Sequence, residues 1–149
     1  MKEAYFKIPD IGDLYLHKVL LQIDIPPLLF VCTDSNGKYY LGECIDSYEF
    51  PYQYLIVPTT PDILIKMLNN KIAMYDAFRM SSDKIAFKVR EAEELRNDIV
   101  CLLQIDDVLD EDLPSKEAFF EIDTGDIKNY LSKLQGYKTY EFSQSANVL

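Results

Sequence analysis

The chain has 149 residues, of which 48% are hydrophobic and 13% aromatic, and its formal net charge at pH 7 is −10. This many aromatic residues exclude an intrinsically disordered chain. A chain of this length buries roughly two-thirds of its unfolded surface in one core. We therefore expect a single domain over residues 1–149.

The acidic residues are concentrated in one part of the chain. Residues 91–126 contain thirteen Asp and Glu against Arg96 and Lys116, a net charge of −11, so the remainder carries +1. Direct binding to nucleic acid is disfavoured, because a phosphate backbone is bound through basic surfaces. A basic protein partner would be attracted to this segment. A solvated face that only confers solubility is the simpler alternative.

Neither a membrane span nor a secretory signal is predicted. No apolar run reaches the length of about 18 residues that a membrane helix needs, and the first seven residues lack a signal-peptide pattern. We therefore expect a cytoplasmic protein without membrane contact. Cys32, Cys44 and Cys101 are too few and too far apart for a disulfide framework or a metal site, so we expect three buried thiols.

Hydrophobic periodicity and turn residues predict the elements in chain order. Strands are predicted over 14–24, 28–33, 38–46, 52–57, 84–90 and 98–105, and helices over 61–68, 72–78 and 127–134. Thr60 and Pro61 are typical of a helix start, whereas Asp126 is the predicted cap and Gly136 the predicted end of the last helix. Residues 106–112 resemble a surface loop, and 115–122 fit a strand or a helix.

A hairpin is predicted between the second and third strands. Asn36-Gly37 is typical of a two-residue hairpin loop, which would place Thr33 opposite Tyr40 and Cys32 opposite Leu41. Because hairpin-joined strands precede the helices, the sequence predicts an α+β fold. It would be an antiparallel sheet or small open β-barrel with helices packed on one face or end.

No pattern of catalytic or cofactor-binding residues is recognised. His17 is the only histidine and lies within a predicted strand, where a cross-strand partner is the ordinary role. Asp123-Thr124-Gly125 matches the short motif of aspartic proteases, but the chain after it is too short for a second protease half. The five glycines form no phosphate-binding loop. No catalytic residue, metal or cofactor is therefore assigned.

Two groups of residues are candidates for binding a partner. Tyrosines are crowded between residues 39 and 54, and tyrosine is enriched at protein interfaces. The acidic run supplies carboxylates for a basic surface, or oxygen ligands for a weakly held divalent cation. The candidate partner-binding residues are Tyr48, Phe50, Tyr52, Asp106, Asp107, Asp110, Glu111 and Asp112.

Several short sequences carry a resemblance across roughly the first 90 residues. They are Leu14-Tyr15, Pro27-Leu28-Leu29-Phe30, Asn36-Gly37 with Tyr40-Leu41, Tyr54-Leu55 with Pro58, and Asp76-Ala77-Phe78. In these the chain resembles a group of small uncharacterised bacterial proteins. The resemblance implies a bacterial or phage-related origin and no activity.

The sequence therefore favours a non-catalytic protein-interaction module. An acidic inhibitor, antitoxin or immunity-type protein that blocks a basic partner fits the charge, and so does a subunit of a larger assembly. The alternative is a small-ligand sensor or an enzyme with an unfamiliar site, which a concave pocket with converging polar groups would favour.

Overall fold

Seven strands form one antiparallel sheet in a computed structural model that describes residues 4–22, 27–46, 51–90, 99–121 and 124–147. The strands lie in the sheet in chain order, from β1 at one edge to β7 at the other. The strands are β1 (Phe6–Ile8), β2 (Gly12–Leu21), β3 (Leu29–Asp34), β4 (Tyr39–Asp46), β5 (Gln53–Thr59), β6 (Ile85–Arg90) and β7 (Ile99–Gln104). The helices are α1 (Pro61–Leu68), α2 (Met74–Arg79) and α3 (Gly125–Asn147), with 3-10 turns η1 (Ile105–Asp107) and η2 (Asp110–Asp112).

The sheet curls until strands that are distant in its order meet. The ring of Phe6 on β1 lies 5.0 Å from the ring of Tyr54 on β5, centroid to centroid. In a flat sheet, strands four positions apart would be separated by about 19 Å. The sheet is therefore a nearly closed barrel, and its inner face is filled by buried side chains. The inner cluster contains Phe6, Ile8, Leu14, Phe30, Cys32, Tyr40, Tyr54, Ile56, Phe87 and Val89.

The helices cover the outer face of the same sheet. Val31, Leu41 and Val57 project from the strands into a second buried cluster. The helical side contributes Leu64, Met67, Phe78, Ile127, Tyr130 and Leu134. The predicted α+β fold, an antiparallel sheet with helices on one face, is confirmed.

The predicted hairpin between β3 and β4 forms, but its register is wrong by one residue. Thr33 lies opposite Tyr39 instead of Tyr40, and Cys32 lies opposite Tyr40. The backbone N–H of Asp34 donates to the carbonyl of Lys38 at 3.0 Å, so the loop has three residues. Gly37 supplies the positive φ of 82° that such a loop needs.

The start of α1 follows the prediction, whereas both ends of α3 differ from it. The side chain of Thr60 accepts from the Ile63 N–H at 3.4 Å, with Pro61 in the first turn. In α3, Thr124 takes the capping role predicted for Asp126, and its Oγ1 accepts from the Ile127 N–H at 3.2 Å. The helix also continues past Gly136, since glycine lowers helix stability by only about 1 kcal/mol. Residues 115–121 form neither a strand nor a helix.

The three thiols have different environments. Cys32 is buried in the barrel, and burial raises its pKa to about 12. Cys44 is half-buried and Cys101 is exposed, so the prediction of three buried thiols holds only for Cys32 and is wrong for Cys101. That residue lies on β7, the last strand of the sheet order. Within the described ranges, no helix has the length and apolar character needed to cross a membrane.

Candidate functional site

Residues 105–113, here called the acidic loop, follow β7 and contain both 3-10 turns. Ile105, Val108 and Leu113 are buried in the outer cluster and anchor the loop at its start, middle and end. The polar residues between these anchors cannot enter the core, so the loop projects them away from it. The segment predicted as a surface loop is therefore a structured element.

The guanidinium of Arg79, at the end of α2, holds the backbone of the acidic loop. Its Nη1 donates to the carbonyl of Ile105 at 2.6 Å, and its Nη2 donates to the carbonyl of Val108 at 3.1 Å. The same Nη2 donates to Asp110 Oδ1 at 2.8 Å. A planar guanidinium presents these donors in a fixed geometry. One side chain thus ties three points of the loop to α2.

Asp110 is the centre of a polar network that strengthens this connection. The Tyr75 hydroxyl donates to its Oδ1 at 2.8 Å, and Lys116 Nζ lies 3.3 Å from its Oδ2. Hydrogen bonds from Tyr75, Arg79 and Lys116 lower the pKa of Asp110 to about 2. The negative charge of Asp110 is therefore compensated by Tyr75, Arg79 and Lys116 within the protein.

A second acidic residue of the loop is also paired, above a buried carboxyl group. Lys88 Nζ on β6 donates to Asp112 Oδ2 at 3.1 Å. Glu43 lies on β4, and its buried Oε1 has no hydrogen-bond partner among the described residues. Burial and then the charge of Asp112 raise the pKa of Glu43 to about 8. Glu43 is consequently mostly neutral at pH 7.

The remaining side chains of the acidic loop face solvent. Asp106, Asp107 and Glu111 are exposed, and between them Leu109 is 58% exposed. Interfaces commonly combine an apolar centre with a polar rim. The loop therefore presents one apolar side chain among three carboxylates that form no ion pair with any residue the structure describes.

The candidate residues from the sequence fall into three groups. Tyr48 and Phe50 lie outside the described residues, and Tyr52 is half-buried against the inner cluster. Asp110 and Asp112 form the ion pairs above, whereas Asp106, Asp107 and Glu111 point outward. A role of any of them in partner binding stays a prediction. In the described part of the chain, no three His, Cys, Asp or Glu side chains are grouped to hold a metal ion.

Two residues that shape this surface were not predicted from the sequence. Leu109 interrupts an acidic run, and that single apolar position was the available signal. Arg79 gave no signal, because its partners in the acidic loop lie between 26 and 31 residues further along the chain.

Comparison with models of protein families, with curated proteins and with solved structures finds no match for this chain.

Proposed function

We propose that this protein is a non-catalytic protein-interaction module that binds a basic surface of a partner protein through its acidic loop. The observation that carries the proposal is the exposed Leu109 among Asp106, Asp107 and Glu111 on a backbone fixed by Arg79. An inhibitor, antitoxin or immunity-type protein would use such a loop to cover the basic site of its partner.

The rigidity of the loop supports recognition over solubility alone. A charged segment that only maintains solubility has no need of a fixed backbone, whereas a binding loop gains affinity when its conformation is set before binding. Leu109 would fill an apolar depression at the centre of the contact. The surrounding carboxylates would pair with Lys or Arg at the rim, which steers association and excludes acidic partners.

A comparison of two leucines tests the proposal. Leu109 and Leu102 are 58% and 60% exposed, but Leu102 lies on β7, outside the acidic loop, and lines a cleft with Phe87 of the inner cluster. Immobilised wild type, Leu109→Ala and Leu102→Ala proteins are compared for capture of proteins from a lysate of the source organism. We expect Leu109→Ala to lower the affinity for a captured basic protein by about tenfold or more, as for a hot-spot residue. Leu102→Ala should match the wild type.

Arg79→Lys provides a second test, because it keeps the charge and removes the fixed donor geometry. We expect faster hydrogen exchange of the amides of residues 105–113 and weaker capture in this variant. Equal loss for the Leu109 and Leu102 variants, or a captured protein that is acidic, would refute binding through the acidic loop.

Small-ligand binding is a second candidate function, favoured by a polar cleft of about 370 Å³ between β2 and α3. This volume is within the range of small-molecule sites.

A further inference from the structure

The cleft begins at an irregularity in β2. Leu16 is paired with Cys32 and Lys18 with Val31, so His17 is an extra residue in β2, which is a β-bulge. Bulges change the direction in which side chains project and are frequent beside functional sites. Here two consecutive residues, His17 and Lys18, both reach α3 instead of pointing to opposite faces of the sheet.

The contacts of these two residues define one wall of the cleft. His17 Nδ1 and the Tyr130 hydroxyl share a hydrogen bond of 2.8 Å, and the imidazole also packs edge-on against Tyr39. Lys18 forms an ion pair with Asp126. The imidazole is therefore held in place by Tyr39 of β4, two strands away in the sheet, and by Tyr130 of α3.

The opposite wall is one face of α3. Asp126, Asn129, Tyr130 and Lys133 line the cleft, and their spacing of three and four residues places them on the same side of the helix. The lining thus combines an amide, a hydroxyl, an imidazole and two ammonium groups with one carboxylate.

The charge of this cleft is opposite to that of the chain as a whole. The cleft is lined by two lysines, Lys18 and Lys133, and by one carboxylate, that of Asp126, whereas the chain carries a net charge of −10. Among the residues whose side chains the structure describes, no carboxylate lies at ion-pair distance from Lys133. The Asp126 side chain is 73% exposed, against 20% for Lys18, so the carboxylate lies on the solvent side of the pair and water weakens its attraction to Lys18. An anion that enters the cleft can therefore replace Asp126 as the partner of Lys18.

We propose that this cleft binds the phosphate group of a small ligand, either inorganic phosphate or a phosphate monoester. Lys18 and Lys133 would supply charge, and the Asn129 amide would donate a hydrogen bond to a phosphate oxygen. The Tyr130 hydroxyl would donate a second one in the tautomer in which His17 Nδ1 carries the proton of the bond between them. The size of the cleft admits a small molecule. This proposal gives the second candidate function its ligand class and is independent of the acidic loop.

Titration of the full chain with three probes tests the site by calorimetry and by phosphorus NMR. The probes are inorganic phosphate, phenyl phosphate and acetate. The informative variant is Lys133→Met, which removes the charge and keeps most of the side-chain length. The matched control is Lys128→Met, which removes the same charge from α3 at a residue that does not line the cleft. We expect Lys133→Met to weaken phosphate binding roughly tenfold and Lys128→Met to change it less than about twofold.

The probes separate the two sources of the phosphate. Tighter binding of phenyl phosphate than of inorganic phosphate would identify an organic phosphate ligand, and equal binding would identify free phosphate. Three results would overturn the proposal. They are acetate binding as tight as that of either phosphate probe, equal effects of Lys133→Met and Lys128→Met, and no binding of any probe. None of these outcomes decides partner capture, since no variant alters the acidic loop.

Discussion

Glu43 places a carboxyl group on the outer face of β4, directly opposite buried leucines on both neighbouring strands. Leu29 on β3 and Leu55 on β5 are its cross-strand partners, and both are buried in the outer cluster. Loss of hydration disfavours the charged form, and the nearby carboxylate of Asp112 disfavours it further. The side chain is accommodated as a neutral acid beneath the acidic loop, so its protonation is linked to folding.

The stability of the protein should therefore fall as the pH rises. The pKa of Glu43 in the folded state is about 8, against an ordinary value of 4.5. Folding is favoured by the bound proton, so this contribution is complete below pH 4.5 and is lost as the pH rises towards 8. We expect Glu43→Gln to be more stable than the wild type by about 1–3 kcal/mol at pH 9 and to lose this advantage at acidic pH.

Urea unfolding across this pH range measures the difference, with the exposed Glu117→Gln as the control. A free-energy gap between Glu43→Gln and wild type that stays constant with pH would show that Glu43 titrates normally.

At the level of elements, β3 and β4 make a close contact inside the barrel that only a glycine allows. Phe30 and Gly42 lie directly opposite each other, and the Phe30 ring covers the glycine on the inner face of the barrel. A Cβ atom at Gly42 would lie 2.5 Å from both Cε2 and Cζ of Phe30. The same ring contacts Phe6 and Tyr54 on more distant strands. Phe30 therefore has little freedom to move away.

Replacing Gly42 by Ala should consequently destabilise the fold. We expect a loss of about 1–3 kcal/mol, the usual cost of overpacking a core. In the double variant with Phe30→Leu, the smaller side chain relieves the contact, so the combined loss should be less than the sum of the two single losses. Gly136→Ala on α3 is the control, because its Cβ meets no other atom within 4 Å. Urea unfolding of the four variants and the wild type gives the coupling energy; additive losses would argue against a clash with Phe30.

The accuracy of sequence-based prediction differs between elements for physical reasons. Thr60 and Pro61 determine the start of α1 through bonds made within one turn, so a local pattern was sufficient. The hairpin register depended on whether the loop has two or three residues, and Asn36-Gly37 is compatible with both. The closure of the barrel depends on Phe6 meeting Tyr54, a contact between distant strands that no local pattern contains.

The candidate site was predictable only in part, for a similar reason. The composition of the acidic run indicated its charge, but it could not show that Asp110 and Asp112 are paired within the molecule. It also gave no indication of the cleft. That site requires the bulge at His17 and the face of α3 that begins at Asp126, and these are 109 positions apart in the sequence.

At the scale of the whole molecule, the exposed charge depends on ion pairing as well as on where the charged residues lie in the sequence. Lys88, Arg79 and Lys116 neutralise two carboxylates of the acidic loop, which leaves the outward negative charge at Asp106, Asp107 and Glu111. The cleft between β2 and α3 has an excess of ammonium groups on a chain of net charge −10. The two proposed sites therefore attract ligands of opposite sign, and they can be distinguished by their response to charge variants.

Salt should separate the charged and apolar contributions to partner binding. A Debye length of about 8 Å at physiological ionic strength means that added salt weakens attraction between exposed charges and leaves apolar contacts nearly unchanged. We expect the affinity of the captured partner to fall with increasing sodium chloride, and Asp106→Asn to reduce the steepness of that fall. Leu109→Ala should lower the affinity by a similar factor at every salt concentration, because its contribution is burial of apolar surface.

The control for the charge is Asp10→Asn, at a turn residue outside the acidic segment 91–126. Its φ of 68° is one that asparagine also adopts readily, so the change removes charge without straining the backbone. Surface plasmon resonance over a series of salt concentrations measures the affinity of the partner for the wild type and for the three variants Asp106→Asn, Leu109→Ala and Asp10→Asn. If Asp10→Asn reduces the salt dependence as much as Asp106→Asn does, the attraction arises from the net charge of the protein and not from the acidic loop.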